Sequence, residues 1–307
     1  LCEYIYCGSD TKAGAFLSFQ LFHKLYPLNY VTAPGSLCHN HPVQRYLTLL
    51  RRRPQYRYLW LASIISFAGD WFNTIATVIL VSRYTDSTTA VGALFIARAL
   101  PPFLLAPLAG VVADRFSRKK VLITTDILRF FIVLGFLLVD GPEDAWLIFA
   151  LTISQFIVSA FFQPAQTAIL PSLVEGSQEV LEANTLSSIT WSAMLTLGAA
   201  MGGVVAGYFG VSTALIIDAV SFLIAAIFIW RIDAGPRLET AGEESSGWQD
   251  MMDGLRYVSY HPRTGLTACV KALTQIGSPD IMIAVYASQI FLVGEDGAMY
   301  LVVLYSA

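Results

Sequence analysis

Residues 211–231 have the sequence VSTALIIDAVSFLIAAIFIWR, and this stretch decides the class of fold. Between its first residue and the terminal Arg231, its one ionisable side chain is that of Asp218. A helix rises 1.5 Å per residue, so about twenty residues cross the ~30 Å hydrocarbon core of a bilayer. The stretch therefore predicts a membrane-spanning helix.

The same pattern recurs along most of the chain. Apolar runs of similar length, each ended by a short charged or Gly/Pro-containing turn, lie at about 58–82, 89–113, 119–139, 145–169, 185–208 and 264–292, and a further run begins near Ala298. Charged residues make up 13% of the chain, against about 25% in a typical soluble domain. A soluble domain cannot bury so many apolar helices, so we predict an all-α membrane protein.

The basic residues indicate the orientation of these helices. They concentrate in segments 51–57, 115–120 and 231–263, which fall on one side of the membrane if successive helices alternate. On the opposite side Arg83 is nearly the only basic residue. Positively charged loops stay in the cytoplasm, so we expect a multi-pass protein of the cell membrane with a cytoplasmic N-terminus. The net charge of −3 gives no indication of a nucleic-acid partner.

The pattern also divides the chain into four parts. We expect a poorly structured tail over 1–50, a first six-helix transmembrane bundle over 51–232, a cytoplasmic linker with an amphipathic helix over 233–262, and the start of a second transmembrane bundle over 263–307. The last apolar run has no charged flank, which is typical of a helix cut short. We therefore expect only the first one or two helices of the second bundle.

A motif between the second and third runs resembles that of a known family. Residues 110–120 have the sequence GVVADRFSRKK. This segment resembles the loop signature of the major facilitator superfamily, with Ser117 where the family has Gly. The motif residues are Gly110, Asp114, Arg115, Arg118 and Lys119. The resemblance implies that Gly110 lets two helices approach closely and that the charged residues form a cytoplasmic latch, bridging to one another or to helix C-termini.

Other stretches of residues 50–307 are similar to the macrolide-efflux and enterobactin-exporter branch of that superfamily. These stretches are Gly69-Asp70-Trp71, 161–165 (FFQPA), Leu170-Pro171, Glu182-Ala183-Asn184 and 218–222 (DAVSF). In the fifth run, Ala199 stands where the antiporter motif has Pro. The resemblance implies a truncated major facilitator fold and proton-coupled efflux of an amphipathic, drug- or siderophore-like compound by alternating access. Because that substrate site lies between two bundles, we expect no transport by this chain alone.

Asp70 is the first candidate for the chemistry. It lies about twelve residues into the first run, ~18 Å along the helix and near the membrane midplane. Asn73, Thr74 and Thr77 follow it at helical spacing and form a polar stripe. A carboxylate buried there can exchange a proton near neutral pH, so Asp70 is predicted to bind a proton or substrate. A structural hydrogen bond to a neighbouring helix is the alternative.

Other ionisable residues lie within the runs. Arg98 reaches a similar depth from the opposite side, and it either pairs with Asp70 or extends outward to the interface. Asp126 and Arg129 are three residues apart and are expected to form a structural pair on one helix face. Asp218 is expected to be a packing or interface residue.

The fourth run has a polar stripe of its own. Thr152, Gln155, Ser159, Gln163 and Gln166 recur at steps of three or four residues. In lipid such a stripe faces protein or water, so it predicts either a cavity wall or interhelical hydrogen bonds. The fifth run contains small residues at packing spacing, which we interpret as structural: Gly198, Ala199, Gly202, Gly203 and Ala206. The substrate and proton cavity is thus predicted to comprise Asp70, Asn73, Thr77, Arg98, Gln155, Ser159 and Gln163.

Two other functions stay open at this stage. One is a non-transporting half-length protein or accessory subunit, and the other is an importer of the same superfamily. An enzyme is disfavoured because the runs contain no His-rich box, nucleophile motif or metal-ligand spacing. Cys2, Cys7 and the Cys38–His41 cluster do not have the spacing of a zinc site either. We therefore expect no cofactor, and as partners the bilayer, a small organic substrate and protons; the pattern does not indicate an oligomeric state.

Overall fold

The computed structural model describes residues 42–233, together with Arg256, Tyr260 and Leu266. The predicted linker and second bundle, apart from these three residues, lie outside this part of the chain. Residues 42–233 form seven α-helices and no strand: α1 Pro42–Arg52, α2 Pro54–Thr85, α3 Thr88–Arg115, α4 Arg118–Gly135, α5 Ala145–Ile169, α6 Gly176–Phe209 and α7 Val211–Trp230. Short 3₁₀ turns lie at Phe136–Leu138, Pro142–Asp144 and Leu170–Ser172.

Within the described residues, six helices, α2 to α7, are long and apolar enough to cross a membrane. Their number and order agree with the predicted first bundle. Many large apolar side chains on their outer faces are exposed, among them Phe103, Phe131 and Ile224. Contact of these faces with acyl chains is favourable, so the exposure is consistent with a lipid environment.

Helix α1 differs from the expected tail. It begins at Pro42 and occupies residues 42–50, which were predicted to be poorly structured. Proline is well suited to the first helical turn because its missing N–H has no partner there. Leu49 is buried against the apolar core near Tyr56 and Leu59, so burial fixes a segment too short to be recognised from hydropathy.

Each of the six long helices packs against at least one of the others. Helix α2 packs against α6 and α7, α3 packs against α5, and α4 packs against both α5 and α7. The turn from α6 to α7 consists of Gly210, whose φ of 87° lies in the region that glycine adopts without strain. The close α2–α6 contact also depends on small residues: a Cβ on Gly198 would lie 3.0 Å from Trp71, and one on Gly202 would lie 3.3 Å from the Phe72 Cα. The structural interpretation of these two glycines is confirmed.

The apolar core forms two blocks rather than one. One block includes Leu59, Leu122 and Ile169, near the end of the bundle where α2 begins. The other includes Leu80 and Phe136, near the opposite end. Between the blocks lies a polar layer, named here the charge layer, formed by the side chains of Asp70, Asn73, Arg98, Asp126, Arg129 and Asp218. These residues lie near the middles of their helices, so the layer is close to the expected bilayer midplane.

Candidate functional site

The charge layer is organised around an ion pair between α2 and α4. The guanidinium of Arg129 donates to Oδ1 of Asp70 at 2.6 Å. The Arg129 side chain is 5% exposed, whereas that of Asp70 is 36% exposed. Arg129 is thus the inner partner, and Asp70 is the member of the pair that water or a ligand can reach.

Two aromatic rings lie close to the guanidinium of Arg129. Its guanidinium carbon lies 3.9 Å from the ring centroid of Phe222 and 5.6 Å from that of Phe162. Cation–π attraction of this kind is strengthened where water is excluded. The expected partner on the same helix, Asp126, is farther away than Asp70, with 3.7 Å between its Oδ1 and NH1 of Arg129. Arg129 therefore links helices, and the interpretation of a pair confined to α4 is incomplete.

Arg98 occupies neither of its two predicted positions. It does not form an ion pair with Asp70, because Arg129 takes that place. Nor does it extend outward: it is directed into the bundle, where its NH2 donates to Oδ1 of Asn73 at 3.3 Å. Its guanidinium also lies 5.1 Å from the ring centroid of Phe156. The side-chain amide of Asn73 thus joins α2 to α3.

Asp218 is fully buried on α7 and faces α2. The contact is possible because α2 has a glycine there: a Cβ on Gly69 would lie 2.7 Å from Oδ1 of Asp218 and would collide with the hydroxyl of Ser221. Electrostatic interactions connect Asp218 to Asp70, Arg129, Asn73 and Arg98. Asp218 therefore belongs to the charge layer. A packing or interface role is compatible with its contact with α2, but its electrostatic connections were not predicted.

A cavity of about 270 Å³ reaches the ion pair from the side of α5 and α6. Asp70 and Arg129 form its inner wall, and Thr74, Ser159 and Gln163 add hydroxyl and amide groups. We call this space the Asp70 cavity. Its aromatic walls are Phe67, Trp71, Phe156, Phe162 and Trp191.

A larger groove of about 530 Å³ adjoins this cavity toward the start of α2. It shares Phe67, Gln163 and Trp191 with the Asp70 cavity, so the two spaces meet along the same wall. We call it the α2–α6 groove. Its uncharged polar lining residues are Ser63, Gln163, Gln166, Thr167, Asn184, Ser187, Ser188 and Ser192. Trp60 and Trp191 flank them, which makes the groove suited to a solute with both aromatic surface and hydrogen-bonding groups.

The structure divides the predicted cavity residues into two sets. Asp70, Ser159 and Gln163 line the Asp70 cavity. The other four, Asn73, Thr77, Arg98 and Gln155, do not line either space. A helix turns 100° per residue, so residues at +3 and +4 from Asp70 diverge: Thr74 faces the cavity, whereas Asn73 faces the interior. Thr77 donates to the Asn73 carbonyl at 2.8 Å, and Gln155 is 1% exposed.

The wall contributed by α6 was not foreseen. Asn184, Ser187, Ser188, Trp191 and Ser192 line the α2–α6 groove. They recur at steps of three or four residues, which is the same signal that marked the stripe on the fourth run. This polar stripe is therefore visible in the sequence, N-terminal to the glycines of the fifth run.

A family model described as "Transmembrane secretion effector", of the MFS type, matches residues 48–282, which is well over half of the chain. The chain belongs to the major facilitator superfamily. The predicted resemblance and all-α fold class are therefore confirmed, and the six described spans correspond to the first bundle of the major facilitator fold.

Relatives of this major facilitator chain include exporters. It is 31% identical over 180 residues to the proposed bacilysin exporter BacE of Bacillus subtilis (strain 168), covering 59% of this chain and 44% of BacE. It is 27% identical over 245 residues to the MFS-type transporter YfiS of the same strain, covering 77% and 58% of the two chains. It is 25% identical over 237 residues to the enterobactin exporter EntS of Shigella boydii serotype 18, covering 76% and 56%. The chain spans about half the length of the curated relatives it matches.

The major facilitator loop signature lies between α3 and α4, as predicted. NH1 of Arg118 donates to the Ala168 carbonyl at 2.8 Å, and Nζ of Lys119 donates to the Ile232 carbonyl at 2.6 Å. These carbonyls lie near the ends of α5 and α7, where backbone acceptors have no partner within the helix. The predicted bridging of the loop cations to helix C-termini is thus seen for Arg118 and Lys119.

The other signature residues lie in a different environment. Asp114 and Arg115 are exposed at the end of α3. A Cβ on Gly110 would meet no atom within 4 Å, so no described helix approaches it closely. That Gly110 permits close helix packing therefore stays a prediction, because the second bundle lies outside the described residues.

Proposed function

We propose that this chain is part of a proton-coupled transporter that exports an amphipathic organic compound across the cell membrane. The Asp70–Arg129 ion pair on the wall of a polar cavity near the midplane is the single observation that carries the proposal. A carboxylate that is ion-paired and still reachable from the cavity can exchange its partner for a proton or for substrate. The exporters among the relatives support the outward direction.

In this proposal the cavities receive the substrate. The α2–α6 groove combines tryptophan faces with neutral amides and hydroxyls, which suits a compound with flat apolar surface and several hydrogen-bonding groups. Asp70 acts as the coupling carboxylate, and its protonation releases Arg129. A second bundle would close over the groove and rock against the first, so that the site opens to alternate sides.

The chain's orientation completes the proposal. The N-terminus and the loop carrying Arg118 and Lys119 are placed in the cytoplasm by the distribution of basic residues. In that orientation the α2–α6 groove extends from the midplane toward the cytoplasm. Asp114, Arg115 and the neighbouring cations would latch the cytoplasmic face between transport cycles.

The first test is transport with Asp70→Asn, expressed from the gene that encodes this chain. Asparagine is nearly isosteric but cannot exchange a proton, so efflux of amphipathic dyes driven by a proton gradient should fall at least tenfold. Asp140→Asn serves as the matched control because Asp140 is exposed in the turn after α4 and should retain full efflux.

Proton-driven efflux that is unchanged in Asp70→Asn would remove Asp70 from the mechanism. Accumulation of the dyes inside cells, rather than their depletion, would instead identify an importer. A gene product that moves none of a broad dye panel in either direction would favour the half-length or accessory role.

A further inference from the structure

The charge layer contains more acids than bases. Three carboxylates, Asp70, Asp126 and Asp218, lie with two guanidiniums, those of Arg98 and Arg129. With every group ionised the layer would have a net charge of −1. An uncompensated charge buried away from water costs several kcal/mol, so the layer is most stable when one carboxylate binds a proton.

The contacts indicate which carboxylate this is. Asp70 has a cationic nitrogen at 2.6 Å and Asp126 has one at 3.7 Å, both from Arg129. Within residues 42–233, Asp218 has no cationic nitrogen within 4 Å. The oxygens of Asp218 make no hydrogen bond of standard geometry to a described residue, and the same holds for those of Asp126. Both residues are 0% exposed, so water does not replace the missing partners, and the contact with Arg129 is what distinguishes Asp126 from Asp218.

The groups around Asp218 are consistent with a neutral acid. Helix α2 presents Asp70, a like charge, and Asn73, whose Oδ1 accepts from Arg98 of α3 and whose side-chain amide interacts with Asp218. Helix α4 presents Arg129, which is already paired with Asp70. Helix α6 has charged residues only in its first turns, at Glu179 and Glu182, far from Asp218 along the helix.

We propose that Asp218 is a second, buried proton-binding residue, and that Arg129 connects it to the Asp70 cavity. While Arg129 is paired with Asp70, Asp218 holds its proton. When Asp70 loses its charge or its contact with Arg129, the guanidinium turns between the rings of Phe162 and Phe222 toward Asp218. The O–H bond of Asp218 then breaks, the proton leaves through water in the Asp70 cavity, and a carboxylate paired with Arg129 remains.

The use of this proton in transport rests on the proposed function, but the position of the proton does not. Infrared spectroscopy of the purified chain in lipid nanodiscs can locate it without any transport. A protonated carboxyl group has a C=O stretching band separate from the amide bands, and the band shifts in D₂O. The unmodified chain at neutral pH should show this band.

Exchanges of aspartate for glutamate assign the band because they leave the charge balance unchanged. Asp218→Glu should shift the band, whereas Asp70→Glu and Asp126→Glu should leave it in place. Absence of the band in the unmodified chain would overturn the proposal, as would an unshifted band in Asp218→Glu or a shift in either control. If Asp218→Glu does not fold, Asn73→Ala replaces it: loss of the amide that interacts with Asp218 should shift the band, and an unmoved band overturns the proposal.

The connection through Arg129 has its own test in the same preparation. Asp70→Asn leaves two carboxylates for two guanidiniums and frees Arg129, so Asp218 should lose its proton and the band should disappear at neutral pH. A band that persists in a folded Asp70→Asn chain would overturn the exchange of partners. These results are separate from the dye-efflux experiment. If Asp70→Asn abolishes efflux but the unmodified chain shows no infrared band, the proposed exporter stands and only the role of Asp218 is removed.

Discussion

At the scale of single residues, Gly69 sets the distance between α2 and α7. It precedes Asp70 and lies directly against Ser221 and the carboxylate of Asp218. Any side chain at this position would separate the helices that build the charge layer. Glycine is therefore required at position 69 because α2 and α7 approach each other closely there. The backbone of Gly69 lies within a regular helix, so the requirement comes from packing and not from conformational freedom.

Gly69→Ala should lower the thermal stability of the chain in detergent. The added methyl group has no space, and overpacking of this kind costs about 1–3 kcal/mol. Gly92→Ala is the control: Gly92 is also helical, but its Cβ would meet nothing within 4 Å, so alanine should be neutral or stabilising by up to ~1 kcal/mol. Equal melting temperatures for the two variants would contradict this packing. Ser221→Ala should restore part of the stability of Gly69→Ala.

Single residues also show what could and could not be predicted from the sequence. Asp70 could be identified because a carboxylate in an apolar run is costly and rarely without a role. Its partner could not, since Arg98 and Arg129 both lie at suitable depth and the choice depends on how each helix is rotated in the bundle. Rotation places Arg129 beside Asp70 at 2.6 Å and Arg98 beside Asn73. The spacing of residues within one helix does not show how that helix is rotated relative to its neighbours.

At the scale of helices, hydropathy predicted the part of each helix that lies in lipid. The predicted run 145–169 coincides with α5, Ala145–Ile169, because both ends of α5 meet turns. Helix α6 instead begins at Gly176 rather than near residue 185. Its first turns are polar and helical at once, so hydropathy alone placed the start too late. There Arg53 donates to Glu175 at 2.6 Å and holds the pKa of that carboxyl group below its ordinary value.

The cations of the α3–α4 loop should stabilise the ends of α5 and α7. Arg118→Gln and Lys119→Gln each remove a charged donor from a helix C-terminus, worth about 0.3–1 kcal/mol. Amide hydrogen exchange measured by mass spectrometry should become about two- to fivefold faster, at 165–175 for Arg118→Gln and at 228–233 for Lys119→Gln. Lys120→Gln, an exposed neighbour, should leave both peptides unchanged. A uniform increase across all peptides would indicate general destabilisation rather than loss of a cap.

At the scale of the whole molecule, the number and order of the spans within residues 42–233 were predictable, because each span must supply its own apolar length. The α2–α6 groove was only half predictable. Its α5 wall was anticipated at Gln163, whereas its α6 wall, including Ser188 and Trp191, was missed. A cavity is formed by several helices at once, and its outline depends on their tilt and packing.

The predicted orientation can be tested with single cysteines in a chain lacking its native ones. Glu143→Cys lies in the turn between α4 and α5, and Ser117→Cys lies in the loop between α3 and α4; both positions are exposed. Glu143→Cys should react with a membrane-impermeant maleimide in intact cells, and Ser117→Cys only after permeabilisation. Reaction of both from outside would contradict a cytoplasmic N-terminus and the alternating arrangement of the spans.

The open side of the α2–α6 groove has a consequence for the life of the protein in a cell. Gln163, Ser188 and the half-exposed Trp191 face outward from the bundle, where acyl chains would offer the amide and hydroxyl no hydrogen bonds. Six helices inserted without a cover would therefore draw water into the bilayer along this face. Burial of this face against another surface should therefore stabilise a newly inserted copy in the bilayer.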